Sequence, residues 1–183
     1  MNKQPAVTEQ TRANLREAFW SLYLEKPIDK ITIREITDRA GYNRATFYLY
    51  YRDVYDLFGQ IEDEVLEGVR ALVDEELLRD RTLDISQHMG RIIQLTQRNG
   101  YALPHLMGPH GDPGFSQRLK EILAPLFDRF ILDGQDLTDQ QRAIMREFYA
   151  SGVLAAIGTW MTAADSMPVD QLVELIVGAL LAR

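Results

Sequence analysis

Arg44, Ala45, Thr46, Tyr48 and Tyr50 fall within seven residues and bring together a guanidinium, a methyl group and three hydroxyls. On a helix, Arg44, Ala45 and Tyr48 share one face, with Thr46 and Tyr50 at its margins. A guanidinium can donate two hydrogen bonds to the edge of guanine, and a tyrosine ring can touch a thymine methyl. Threonine and tyrosine hydroxyls can bond phosphate oxygens, which sets register without reading sequence. Phe47 and Tyr51 are four apart and lie on the opposite face, where they can pack inward on Ile36, Leu15 and Phe19. The chemistry is that of recognising a duplex, with no bond made or broken.

Local signals explain how such a helix would be held. Asn43 is a good N-cap for a helix from Arg44 to about Tyr51. Before it, Thr32 and Glu35 stand three apart as a capping box, opening a helix of about eight residues. Gly41 stops that helix, because glycine tolerates the left-handed turn. A longer helix over about Thr8–Glu25 precedes the pair, with Leu15, Phe19 and Leu22 inward and Arg12, Arg16 and Glu17 outside; Pro27 ends it. Asp53 can cap a long helix that follows, with Leu57, Ile61, Val65, Val69 and Leu72 inward, ending in the charged stretch Asp74 to Arg81. Two short helices around a Gly-containing turn present the second to a DNA major groove.

The run Ile33-Arg34-Glu35-Ile36-Thr37-Asp38-Arg39-Ala40-Gly41-Tyr42-Asn43-Arg44-Ala45-Thr46-Phe47-Tyr48-Leu49-Tyr50-Tyr51 resembles the DNA-binding signature of the TetR/AcrR regulators. The resemblance continues through Asp53 to Leu57 and covers roughly the first third of the chain. It implies that Arg34, Arg44, Ala45 and Tyr48 face bases while Thr32, Thr46 and Tyr50 hold phosphates, with Asn43 completing the DNA-binding set as the cap. It also implies a partner, double-stranded DNA with a palindromic operator, and a small apolar or amphipathic effector that releases it. One departure stands out. Val54 occupies the place where the family commonly has a phosphate-contacting lysine, and Arg52 is the nearby cation that can substitute.

Beyond residue 53 the period stays near 3.6 and no period-2 alternation appears, so the fold expectation is all-α with about nine helices. The domains expected are a three-helix DNA-binding domain over 1–53 and a helical ligand-binding and dimerisation domain over 54–183. Further helices are expected at about Ile85–Arg98, Tyr101–Met107, Phe115–Phe130, Asp139–Ala163 and Val169–Ala182, with Gly108 to Gly114 as a loop. The last two suggest a homodimer interface. One carries Ile144, Phe148, Ser151, Gly152, Ala155 and Gly158, and the other a stripe of Val169, Leu172, Val173, Ile176 and Leu180; plain intramolecular core is the alternative. Met89, Tyr101, His105, Met107 and Trp160 are candidate ligand-cavity residues, although in a helical protein such residues are more often plain core.

Composition bounds the rest. Residues 1–56 hold nine Lys/Arg against eight Asp/Glu, so the net charge of −7 arises wholly downstream. That distribution permits a local basic face near the N-terminus. No cysteine is present, so disulfide and thiolate chemistry are excluded. His88, His105 and His110 lack the spacing and companions of a metal site. The glycines around His110 lack the Gly-Lys-Ser/Thr ending that cradles phosphate, and no nucleophile elbow occurs, so no enzyme and no cofactor are expected. Without a signal-like N-terminus or a run of about 18 apolar residues, the expected location is cytoplasmic, away from the membrane. The expectation is a dimeric DNA-binding regulator, a repressor by resemblance. The alternatives are a co-activator or adaptor of the same fold acting through protein contacts, and a small-molecule-binding protein without a DNA role.

Overall fold

Helical periodicity carries through to the structure, a computed structural model that describes residues 5–99, 103–107, 112–163, 165 and 167–181. Among the described residues there are nine α-helices and no strand. They are α1 Pro5–Tyr23, α2 Ile33–Ala40, α3 Arg44–Tyr48, α4 Val54–Ala71, α5 Met89–Asn99, α6 Leu103–Leu106, α7 Pro113–Phe130, α8 Asp139–Thr162 and α9 Val169–Leu181. Two compact units emerge, Met1–Asp63 and Glu64–Arg183, and the division falls within α4. It lies beyond residue 53 because Leu57, Phe58 and Ile61, in the first turns of α4, are buried with the N-terminal core.

In the N-terminal unit Leu15, Phe19, Ile36, Phe47 and Leu57 are all fully buried. Phe19, Tyr23 and Phe58 form an aromatic cluster, with Tyr23 and Phe58 centroids 5.3 Å apart. α1 ends at Tyr23, before the expected Glu25, and Pro27 leads into a 3-10 turn at Ile28–Lys30. Arg12 and Arg16 are not simply outside it. Both are half-buried; Arg16 Nε donates to the Tyr51 hydroxyl at 3.2 Å, and Arg12 reaches Gln60 at 3.5 Å. Arginine can lay its aliphatic stem on a core while its head finds a polar partner.

In the C-terminal unit α4 stops being α-helical at Ala71, short of the expected charged stretch. A π turn follows at Leu72–Glu76, in which the Leu77 N–H reaches the Leu72 carbonyl, and a 3-10 turn at Leu77–Arg79 completes it. The wider turn brings Leu77 beside Leu72, and both are buried. The helix expected from Ile85 begins as a 3-10 turn, Ile85–His88, before α5. α6 is shorter than expected, and Tyr101 with Gly108 to Gly111 lies outside the described residues. Asp112 then accepts from the Gly114 N–H at 2.9 Å and opens α7. Thr138 and Gln141 form a second capping box that opens α8. α7 packs on α8, α8 on α9, and Phe127, Ile131, Leu132 and Ala150 form a buried core between them.

His88 ties the irregular segment after α4 to the start of α5. Its Nδ1 lies 3.0 Å from Glu76 Oε2 and its Nε2 2.7 Å from Asp80 Oδ2, with Arg91 beside Glu76. Two acceptors facing both ring nitrogens need two donors, so the arrangement holds an imidazolium. The hydrogen bonds to Asp80 and then Glu76 raise the His88 pKa above its ordinary 6.5. A raised pKa means the stabilisation is complete below about pH 6.5 and fades as pH rises through the elevated value. Thermal melts from pH 5.5 to 9 should therefore show a decline as pH rises above about 6.5 that His88→Gln removes; an unchanged profile in that variant would disprove the clamp.

Candidate nucleic-acid interface

A helix as short as α3, Arg44–Tyr48, cannot persist on propensity alone. Its start is fixed by Asn43, whose side-chain oxygen accepts from the Thr46 N–H at 2.9 Å and from the Thr46 hydroxyl at 3.1 Å. The α-helix is three residues shorter than expected. Past Tyr48, the N–H groups of Tyr50 and Tyr51 both turn back to the Phe47 carbonyl. Phe47 and Tyr51 nonetheless do as their spacing predicts: they are buried, with ring centroids 5.3 Å apart.

α2 is held against this helix by the turn between them. Gly41 sits at φ 75°, where a β-carbon would strain the backbone, and its N–H returns to the Thr37 carbonyl. The capping box at its start is reciprocal. Thr32 N–H donates to Glu35 Oε2 at 3.0 Å, and Glu35 N–H donates to the Thr32 hydroxyl oxygen at 3.3 Å. Lys26 adds an ion pair to Glu35 at 2.5 Å.

With the inner face so anchored, the outer one is presented to solvent. Arg44 and Ala45 are exposed, Tyr48 is 59% exposed, and Thr46 and Tyr50 are half-buried at the margins. Thr32, Arg34 and Asn43 are exposed as well. Among the described residues Arg34 pairs with Asp38, Arg39 with Glu25 and Arg52 with Asp56, whereas Arg44 has no ion pair. The hydroxyl protons of Thr32 and Thr46 already serve Glu35 and Asn43, so a phosphate contact must draw each away from its cap.

Val54 is buried, so its position offers no surface for a charge. Arg52 is exposed nearby but spends part of its reach on Asp56, 3.4 Å away. Sequence reasoning passed over Leu49 and Tyr55, which are 62% and 59% exposed. Leu49 follows the short helix directly, and an apolar residue out of phase with Phe47 and Tyr51 was the signal available.

A second candidate site lies wholly in the C-terminal unit, a cavity of about 250 Å³ between α4, α5, α7, α8 and α9. Met107 and Trp160 line it as expected from the sequence. Met89 and His105 do not. Met89 lies a turn before Ile92, the first α5 residue on the wall, and His105 is on the side of α6 away from Leu103 and Met107. On α9, Val169, Leu172, Val173, Ile176 and Leu180 all line this cavity, which is the intramolecular alternative for that stripe. No helix among the described residues is long and apolar enough to cross a membrane.

Over residues 15–61 the chain matches the bacterial regulatory proteins of the tetR family, and over residues 84–180 a transcriptional regulator C-terminal region of the same family. The second match alone spans more than half of the sequence, and the chain belongs to the TetR family of transcriptional regulators. An uncharacterized HTH-type transcriptional regulator of Bacillus subtilis (strain 168), YxbF, is 33% identical over 69 residues, which is 37% of this chain but only 18% of that protein. A TetR transcriptional regulator from Streptococcus agalactiae 2603V has a similar structure, with a TM-score of 0.66 at 18% identity over 96% of each chain. The dihydroxyacetone kinase operon activator DhaS gives 0.57 at 16% identity, over 93% of this chain and 96% of its own. The fatty acid degradation regulator FadR from Bacillus halodurans gives 0.56 at 14% identity over the whole of both chains. At these identities the structural likeness is one of fold.

Glu35 makes the α2 cap sensitive to acid. Hydrogen bonds from Lys26, then from the Thr32 hydroxyl and N–H, pull its pKa from 4.5 to about 2. A lowered pKa means the contribution is complete above about pH 4.5 and lost as pH falls through 2. Glu35→Gln should flatten that part of the acid-unfolding curve, read by circular dichroism, while leaving Phe47 buried at neutral pH.

Proposed function

We propose that the chain is a DNA-binding transcription regulator, a cytoplasmic homodimer that represses from a palindromic operator until a small apolar or amphipathic effector releases it. The observation that carries this reading is the exposed face of α3, where the unpaired Arg44 stands beside Tyr48 while Phe47 and Tyr51 anchor the helix from behind. In this reading Arg34, Arg44, Ala45 and Tyr48 meet base edges, and Thr32, Thr46 and Tyr50 meet phosphates. Asn43 keeps the helix start in register. The role is one of binding, with no catalytic step.

Dimerisation is supported by an unpartnered stripe on α8. Ile144 is 60% and Phe148 66% exposed, and Gly152 and Ala155 continue the same face. Leu175, 60% exposed, is the outward apolar residue of α9 in place of the inward stripe. A two-fold dimer of this kind places two reading helices about 34 Å apart, one turn of DNA. Ligand binding that favours another spacing then releases the operator. The buried Val54 favours a second reading, an adaptor of the same fold that works through protein contacts, since it removes one source of phosphate attraction.

Two experiments test these statements. Arg44→Ala should cost about 1–3 kcal/mol at the operator and relax preference at one base position per half-site. Thr46→Ala should weaken all sequences evenly, and Phe47→Ala should lower stability by about 3–5 kcal/mol, with binding lost through unfolding. Binding curves on operator and scrambled DNA beside thermal melts separate the three. Arg44→Ala binding as tightly as wild type would refute the reading face, and no salt-dependent binding to palindromic DNA from the neighbouring genome would favour the adaptor. For the dimer, a β-carbon at Gly152 meets nothing within 4 Å inside the chain, so Gly152→Glu should fold normally. It should scatter light as a single 21.0 kDa chain while wild type scatters as two, because a charge buried in the interface is left unpaired.

A further inference from the structure

The wall of the C-terminal cavity is chemically uniform. Among the described residues it contains no charged side chain and one hydroxyl, that of Thr96, which is turned back to the Ile92 and Ile93 carbonyls at 3.1 and 2.9 Å. The indole N–H of Trp160 is committed to the Met167 carbonyl at 2.6 Å. A polar group carried inside would lose its water and find no partner in exchange.

The apolar wall is also long. It follows α9 from Val169 to Leu180 and α7 from Leu119 to Ile131, which is about 16–18 Å of helix at 1.5 Å per residue. The space that this wall encloses is about 250 Å³. It exceeds the ~150 Å³ that admits benzene and falls short of the ~300 Å³ at which drug-sized ligands begin. We propose that it takes one unbranched alkyl chain lengthwise, with any polar head group left outside the apolar wall. This deepens the effector reading above and rests on it for its regulatory meaning, but not for the binding itself.

The full-length chain can be tested without DNA. Trp20→Phe leaves Trp160, on the cavity wall, as the sole tryptophan and hence the reporter. Hexanoate, octanoate, decanoate and dodecanoate are titrated beside the alcohols of matched length, below their micelle concentrations. Each added methylene should tighten binding about fourfold until the cavity is full. The gain per methylene should be the same in both series, since the head groups stay outside. Thr96→Val should leave every affinity unchanged. Val153→Phe, or Val173→Phe if the first fails to fold, should weaken dodecanoate at least tenfold with the melting temperature retained. Absence of saturable binding by the longest members, affinity that ignores chain length, or a loss in Thr96→Val would each overturn the proposal. Chain binding that leaves operator affinity unchanged would instead overturn the effector reading while the site stands.

Discussion

Burial of Phe47 and Tyr51 against the N-terminal core is the constraint on which the presented surface depends. Five residues of helix cannot pay their own nucleation cost in water, so α3 exists only because its inner face is anchored and its start is capped. Once Phe47 is fixed, helical geometry leaves no freedom in where Arg44, Ala45 and Tyr48 point. The same anchor is shared with α1 and α4 through Leu15, Phe19 and Leu57, which explains why the first turns of α4 belong to the N-terminal unit. Exposed polar groups are thus positioned by a core that contains almost none of them.

Electrostatics on that surface are local rather than collective. Arg34, Arg39 and Arg52 each hold a carboxylate within 4 Å, so their fields are compensated at close range. Only specific geometry, and not a broad basic field, can then account for affinity toward a polyanion. The caps contribute to this economy: Thr32 and Thr46 use their hydroxyl protons internally and can offer them outward only by exchange. A surface of this kind suits discrimination more than avid non-specific attachment.

The C-terminal unit solves a different problem. Its helices bury apolar stripes against one another and around a cavity, and the π turn after α4, with the residue that closes it, contributes Leu72 and Leu77 to that wall. The polar groups of the wall are satisfied elsewhere, Thr96 on its own helix and Trp160 on Met167. The charged residues of this unit concentrate outside it, as in the clamp of His88 by Glu76 and Asp80.

Local chemistry made much of the N-terminal unit legible in the sequence. The Thr32–Glu35 box, Gly41 and Asn43 act through neighbours three or four residues away, so residue type and spacing alone marked where the two short helices begin and which face carries Arg44 and Tyr48. The helical class of the whole chain followed from the apolar period in the same way. What only the tertiary structure decided was the partner of each stripe. An apolar stripe states that a face will be covered but not by what: the α9 stripe suggests a dimer interface, with intramolecular core as the alternative, and packing sets it along the cavity. Aromatic and methionine residues pointed to Met89 and His105, while the wall is mainly Leu, Ile and Val, residues whose role as lining or filling depends on how closely distant helices approach. The π turn, which returns the Leu77 N–H to the Leu72 carbonyl beside it, likewise has no signal in the spacing of its residues.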